Sequence, residues 1–403
     1  MHGSDDHGGV LTLKQMIVRM ALLLTISIGI GVSGSALGLT GQQSSATAVF
    51  LAIILGTLFF WNFRLAIAFL GIGVLMFTKS LDIDHFVKEA SLPVILFLVG
   101  MMIIVGALRD LGFFTWVVQS ILSIPKITGR KFIAVTAVAS ALLACAVDEV
   151  TSIIFISTLV FQVCNRLKLN PTPYIIICVL CTNIGSAGTM MGNPVGIYIG
   201  TKAHLTFFDF IQWAAPIMLV SLTSAVFITM WWYRKDLDEF DLRLKERMDR
   251  ELSLVPNVKV PYGKGLAVLV LTLVAIASHH PLESAFGLDP NSILLVAPLA
   301  VAGIIMIVKR DRARHYVEAE VDWWTLLFFM FLFAIAGTLA YTGVTKLMAD
   351  GFTKTFGTDL KVLIPVVMVT TAIGSAFVDN VIFVAAFAPV IEALGESVKI
   401  MPL

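Results

Sequence analysis

Asp148 and Glu149 stand side by side in Ala144-Cys-Ala-Val-Asp-Glu-Val-Thr-Ser152, with about fifteen mostly apolar residues on each side. Neither Phe132–Val147 nor Val150–Val163 outside this pair holds a charge. A carboxylate at membrane depth costs about 2.5–3.5 kcal/mol on insertion scales. Two adjacent ones call for a bound cation, a shared proton or a water-filled cavity, and Thr151 and Ser152 place hydroxyls beside them. The competing reading is a polar loop at the membrane surface between two ordinary helices. It is the weaker one, because each uncharged arm is short for a span of about 20 residues.

The stretch recurs. An offset of 231 carries Asp148 onto Asp379, within Ser375-Ala-Phe-Val-Asp-Asn-Val381, and makes Ser375, Asp379 and Asn380 a second candidate tip. The same offset carries Gly106 onto Gly337, Gly112 onto Gly343, Leu96-Phe97 onto Leu327-Phe328 and Leu108 onto Leu339. One ungapped register with two glycines and an intramembrane Asp is the two-repeat signature of secondary transporters.

A third constellation is Thr182-Asn-Ile-Gly-Ser-Ala-Gly-Thr-Met-Met-Gly-Asn-Pro194. Its glycines and proline break a helix. Asn183, Gly185, Ser186, Thr189 and Asn193 supply too many polar groups for a kink or small-residue packing alone. Freed carbonyls and helix ends make an ion or anion site, the discontinuous-helix device.

The elements that must carry these groups can be read from composition. Of 403 residues, 58% are hydrophobic and 14% charged, with mean hydropathy +0.92. This predicts an all-α polytopic membrane protein of two inverted repeats, each with spanning helices, a re-entrant hairpin and a discontinuous helix. A net charge of +1 gives no sign of a nucleic-acid partner. Cys145, Cys164, Cys178 and Cys181 lie in apolar segments and read as packing residues, although Cys178 and Cys181 form a C-x-x-C. His2 and His7 belong to a polar tail that reads as flexible rather than metal-binding. No cofactor is implied, no enzyme signature appears, and no Walker loop is present for ATP hydrolysis.

In chain order, residues 1–44 read as an N-terminal tail and an extra helix over Gln15–Val32. Repeat 1 covers 45–233, with hairpin 130–165 and broken helix 171–200. A cytoplasmic linker covers 234–263. Repeat 2 covers 264–403, with hairpin 360–391. Spans are expected over Ala46–Trp61, Leu92–Leu108, Phe208–Tyr233, Gly265–Ala277, Ile293–Val308 and Trp323–Tyr341, with a loop over Ser278–Asn291. Lys126, Arg130 and Lys131 open the first hairpin and Arg166 and Lys168 close it, so it enters and leaves on one face. The run Lys309–Arg314 is cytoplasmic, and the second hairpin then enters from outside, although Lys346, Lys354 and Lys361 oppose that direction. Asp148 and Asp379 are expected in one cavity between oppositely oriented hairpins. The linker belongs to neither repeat, so deletions within 238–258 are expected to leave transport intact. A repeat-2 partner of Thr182–Pro194 would fall near 413–425, past Leu403, in a chain of roughly 460 residues.

Val147-Asp-Glu-Val-Thr151, Asn183–Pro194 and Val378-Asp-Asn-Val381 resemble the hairpin and unwound-helix motifs of the ion transporter superfamily. The nearest likeness is to its arsenite permease and NhaD-type sodium:proton antiporter branch, and it spans most of the chain. That branch carries Leu-Asp-Asn-Val-Thr at the first tip and Asn-x-Gly-Gly-x-x-Thr-x-x-Gly-Asp-Pro in the unwound helix. Here Glu149 stands for the usual Asn, Ser186 for the second Gly and Asn193 for the Asp. The sodium:dicarboxylate branch is less similar, since its Ser-Asn-Thr tips are absent.

The resemblance implies a homodimer joined through scaffold helices and elevator-type alternating access. The acids themselves point to a monovalent cation, Na⁺, exchanged for protons. Asp148 and Asp379 are the Na⁺ candidates, and Glu149 is the coupling-proton candidate because its counterpart Asn380 does not titrate. The alternatives are an arsenite or anion exporter, with oxyanions at broken-helix N-termini, and a sodium-coupled anion transporter. The expected partners are the lipid bilayer and a small ion, and the expected location is the plasma (inner) membrane.

Overall fold

The computed structural model describes residues 12–36, 38–124, 127–248 and 261–398. The tail with His2 and His7 and linker residues 249–260 therefore lie outside the described residues. Among the described residues there is no strand. Apolar runs with short polar punctuation give α1 (Leu13–Ala36), α2 (Gly41–Phe59), α3 (Arg64–Phe77), α4 (Ile83–Glu89), α5 (Leu92–Asp110) and α6 (Phe113–Leu122). They are followed by α7 (Gly129–Ala146), α8 (Glu149–Leu167), α9 (Thr172–Ser186) and α10 (Pro194–Lys202). Next come the long α11 (Phe207–Trp232), α12 (Arg234–Met248), α13 (Gly263–Ala277), α14 (His279–Phe286) and α15 (Ser292–Val308). The chain continues with α16 (Trp323–Tyr341), α17 (Val344–Phe356), α18 (Leu360–Phe377) and α19 (Asn380–Val398). Eight of the described helices are long and apolar enough to cross a membrane, or nine if α13 and α14, bent by 54°, count as one span. The protein is an all-helical, multi-pass membrane protein.

Two expectations about boundaries need correction. The hairpin arms α7 and α8 are 18 and 19 residues long, about 27–29 Å at 1.5 Å per residue. They exceed the uncharged runs because Arg130, Lys131, Glu149 and Arg166 are themselves helical. The arms are therefore long enough to cross, and their shortness no longer argues for re-entry. The expected loop at 278–291 holds α14. Glu283, 5% exposed, accepts from the N–H groups of Asn291 (3.0 Å) and Ile293 (2.8 Å), capping α15 in place of a neighbouring side chain.

The 231-residue offset holds for the helices as well as for single residues. Leu92–Asp110 maps onto Trp323–Tyr341, Gly129–Ala146 onto Leu360–Phe377, and Glu149–Leu167 onto Asn380–Val398. Gly112 and Gly343, at matching N-caps, both take left-handed backbone angles (φ 77° and 82°), where a Cβ is strained.

The chain forms two compact units, Met1–Ile95 with Trp323–Leu403, and Leu96–Asp322. In the first, a Cβ at Gly337 would come within 2.5 Å of Glu89 Cβ, and the ring of His85 lies 3.8 Å from that of Tyr341. In the second, a Cβ at Gly106 would come within 2.6 Å of Glu320 Cγ, and Tyr316 donates to Asp110 (2.9 Å). Glu89 plus 231 is Glu320, and His85 plus 231 is Tyr316. These two contacts in one unit thus have counterparts in the other with the repeats exchanged.

This packing predicts a graded cost. Gly337→Val forces a branched side chain onto Glu89 and is expected to destabilise by about 1–3 kcal/mol. Gly73→Val, with nothing within 4 Å of its Cβ position, should stay within about 0.5 kcal/mol. Thermal unfolding of the purified variants in detergent checks the difference.

Candidate ion-binding site

The first hairpin turns where α7 ends and α8 begins. Val147 N–H still donates to Leu143 (2.8 Å), and Asp148 then extends the backbone and caps α8, its Oδ1 accepting from Thr151 N–H at 2.7 Å. Ser152 Oγ donates to the Asp148 carbonyl at 2.6 Å and is fully buried. Asp148 and Glu149 thus sit at the positive end of a 19-residue helix, where negative charge is favoured. The same local chemistry builds the second tip. Asp379 Oδ1 accepts from Val381 N–H (2.9 Å) and Ile382 N–H (3.4 Å), capping α19.

The discontinuity is where the glycines predict it, between α9 ending at Ser186 and α10 beginning at Pro194. Asn193 caps α10, its Oδ1 accepting from Gly196 N–H at 2.8 Å. The glycines are spacing elements against the hairpin. A Cβ at Gly185 would fall on the Ala141 backbone. One at Gly188 would come within 2.8 Å of Cys145 Sγ, and one at Gly192 within 2.9 Å of the Ala144 carbonyl. Small residues on α7 meet glycines on the break, so backbone reaches backbone.

That approach joins the two motifs. Glu149 N–H donates to the Gly192 carbonyl at 3.1 Å, and Thr189 Oγ1 donates to the Cys145 carbonyl at 2.6 Å. Ser186 Oγ lies 3.0 Å from Glu149 Oε2 and 3.0 Å from the Asn183 carbonyl, with both as available acceptors, while Asn193 Nδ2 donates to it at 2.9 Å. The result is a connected chain from Asn193 through Ser186 to the Glu149 carboxylate. Ser186, 1% exposed, is the buried centre of this chain, and Glu149 and Asn193 at its ends are half-buried.

Of the residues singled out by sequence, Asp148, Glu149, Thr151, Ser152, Gly185, Ser186, Thr189 and Asn193 come together around the first tip. Asn183 contributes its carbonyl, while its side chain is exposed. Ser375, Asp379 and Asn380 form their own cluster in the other unit, where Ser375 Oγ donates to Asn380 Oδ1 at 2.7 Å. Sequence reasoning missed the Gly192 and Cys145 carbonyls and the Ala141 and Ala144 surface. The run of Gly185, Gly188 and Gly192 at and within the break held that signal, since residues without a side chain let a neighbouring backbone come close.

The family described as "Citrate transporter" (CitMHS) matches residues 50–403. A Mycobacterium tuberculosis protein named as an uncharacterized transporter, Rv2685, is 32% identical over 310 residues, covering 75% of this chain and 68% of its own length. The transporter slr0753 of Synechocystis is 24% identical over 330 residues, covering 81% of this chain and 71% of its own. The human P protein is 22% identical over 391 residues, covering 79% of this chain and 46% of its own. A hairpin tip held against a broken helix suits such transporters, and the match runs through both hairpins and the break: the chain belongs to the citrate transporter family of membrane transporters.

Proposed function

We propose that the protein is a secondary active transporter of the plasma (inner) membrane that exchanges a monovalent cation, Na⁺, for protons. The observation that carries this reading is the Ser186 hydroxyl between two acceptors. With Glu149 ionised, Ser186 donates to Oε2 and accepts from Asn193. With Glu149 protonated, the carboxyl group donates to Ser186 Oγ, and the hydroxyl turns to the Asn183 carbonyl 3.0 Å away. In both states the buried Ser186 hydroxyl keeps a donor and an acceptor partner, so neither state leaves it unsatisfied. A proton taken up on Glu149, next to the Asp148 carboxylate that holds the cation, makes the pair an exchange site.

The partner exchange between Gly106·Glu320 and Gly337·Glu89 supports the reading of two equivalent repeats, since equivalent repeats make a cross-repeat contact occur twice. Basic flanks on both ends of the first hairpin support its entry and exit on one face. The homodimer, the elevator movement and the arsenite permease or NhaD-type branch enter this proposal from the resemblance of the motifs. The relatives do not single out that branch.

A second reading has its own support. The matching family is described by citrate, and a carboxylate anion would need a cation to sit beside Asp148 and Glu149. In that reading the protein couples a cation to anion movement. Proteoliposomes with an internal pH-sensitive dye separate the two, with Na⁺, Li⁺, K⁺, citrate and arsenite added in turn. Proton flux on Na⁺ addition alone supports exchange. Flux that requires citrate supports the second reading and contradicts the first.

Substitutions at the first tip separate the roles of its two acids. Glu149→Gln keeps a group able to bond Ser186 but removes the titration, so Na⁺ binding should persist and lose its pH dependence between pH 5.5 and 8.5. Asp148→Asn should lose ion binding while preserving the α8 cap, because Asn caps as well as Asp. Asp148→Ala should lose binding and also about 1 kcal/mol of stability. Isothermal titration with Na⁺ and thermal unfolding of the same samples check both. Ser186→Ala removes one hydrogen bond to a charged group and should weaken Na⁺-driven flux by about tenfold.

A further inference from the structure

Residues 234–248 belong to the stretch that reads from sequence as a partly helical linker; they form α12, and one face of that helix is buried. Leu237, Phe240 and Leu244 are 1%, 0% and 6% exposed, a single stripe at i, i+3 and i+7. That face is docked at the start of two helices. Asp241 Oδ1 accepts from the N–H of Gly129, the first residue of α7, at 2.6 Å. This is one of the donors a helix leaves unpaired at its N-terminus, where a carboxylate is also favoured by the dipole. A Cβ at Gly129 would come within 2.7 Å of the Leu237 carbonyl oxygen and 3.2 Å of Phe240 Cβ, so glycine permits the approach. Phe240 stacks on Phe132 of α7, with centroids 5.2 Å apart and planes at 20°, and lies 5.9 Å from the Tyr174 ring of α9. The Tyr174 hydroxyl donates to the Asp236 carbonyl at 2.8 Å.

Both helices that start at α12 end at the candidate site. α7 runs to the turn before Asp148, and α9 runs to Ser186. We propose that α12 is a clasp that fastens the first hairpin arm to the first leg of the broken helix, so that Glu149 and Ser186 travel as one body. Its anchors are Asp241 on Gly129 and Phe240 between Phe132 and Tyr174. The expectation that residues 238–258 can be trimmed without loss is reversed for 238–248, because removing them would uncover Phe132, Tyr174 and the α7 terminus; residues 249–258 lie outside the described residues. The clasp rests on reading Glu149 and Ser186 as one site, but its test does not require the transported ion to be known.

The test is hydrogen–deuterium exchange on the full-length protein in detergent, comparing wild type with Asp241→Ala, Asp241→Asn and Phe240→Ala. Asp241→Ala should speed exchange about tenfold at amides 129–132 and also at 186–193, at the far end of α9. Asp241→Asn, which keeps an oxygen facing Gly129, should restore protection at both places. Faster exchange at 129–132 with 186–193 unchanged in both Asp241→Ala and Phe240→Ala would make α12 a local cap and overturn the clasp. If Phe240→Ala does not fold, the contrast between Asp241→Ala and Asp241→Asn decides alone. Failure of Na⁺ flux in wild-type proteoliposomes would end the exchange reading and leave the exchange-protection result standing.

Discussion

A carbonyl of the broken helix, Gly192, accepts the first N–H of the hairpin's second arm, Glu149, and the site depends on that one backbone contact. It demands that two backbones approach closely, which only glycine and alanine allow. Gly185, Gly188 and Gly192 on one side and Ala141 and Ala144 on the other meet that demand. Once the approach is made, the side chains have little freedom. Ser186 is brought within reach of Glu149, Asn193 within reach of Ser186, and Thr189 within reach of the Cys145 carbonyl. Larger residues at the glycines would part the motifs before any ion chemistry was lost, so the packing comes first and the polarity depends on it.

The two tips share a capping aspartate and differ at the next residue. Asp148 and Asp379 each hold the first turn of their helix through backbone N–H groups. One position later, Glu149 reaches out of its hairpin to Ser186, whereas Asn380 stays within its own hairpin and accepts from Ser375. The repeat therefore keeps the backbone device and varies the titratable one. An acid that reaches a neighbouring element can report its protonation to that element. A carboxamide bonded inside its own hairpin has no such charge to change.

Much of this was legible in the sequence because periodicity and punctuation carry it. The offset of 231 placed Asp148 on Asp379, and the structure shows whole helices obeying the same offset. The break at Ser186–Asn193 was readable from three glycines and a proline. Three features were not legible. Arm length was misjudged because charged residues at helix ends still extend a helix. α14 was hidden because Glu283 acts as a cap from outside the helix it serves. The docked face of α12 was hidden because Leu237, Phe240 and Leu244 are diluted among charges, and only tertiary contact with Phe132 and Tyr174 shows their use. Pairing across elements, such as Ser186 with Glu149, left only its residue types in the sequence.

The central claim is that one site built on two adjacent carboxylates, Asp148 and Glu149, holds either a cation or a proton. Its most direct test is the affinity of the purified wild-type protein for Na⁺, measured calorimetrically in anion-matched buffers across pH 5.5–8.5. Competition at a single site predicts an apparent Kd that rises as pH falls, approaching tenfold per unit in the acidic limb, with protons released on binding. A Kd independent of pH with no proton release, or Na⁺ binding seen only when citrate is present, would contradict it.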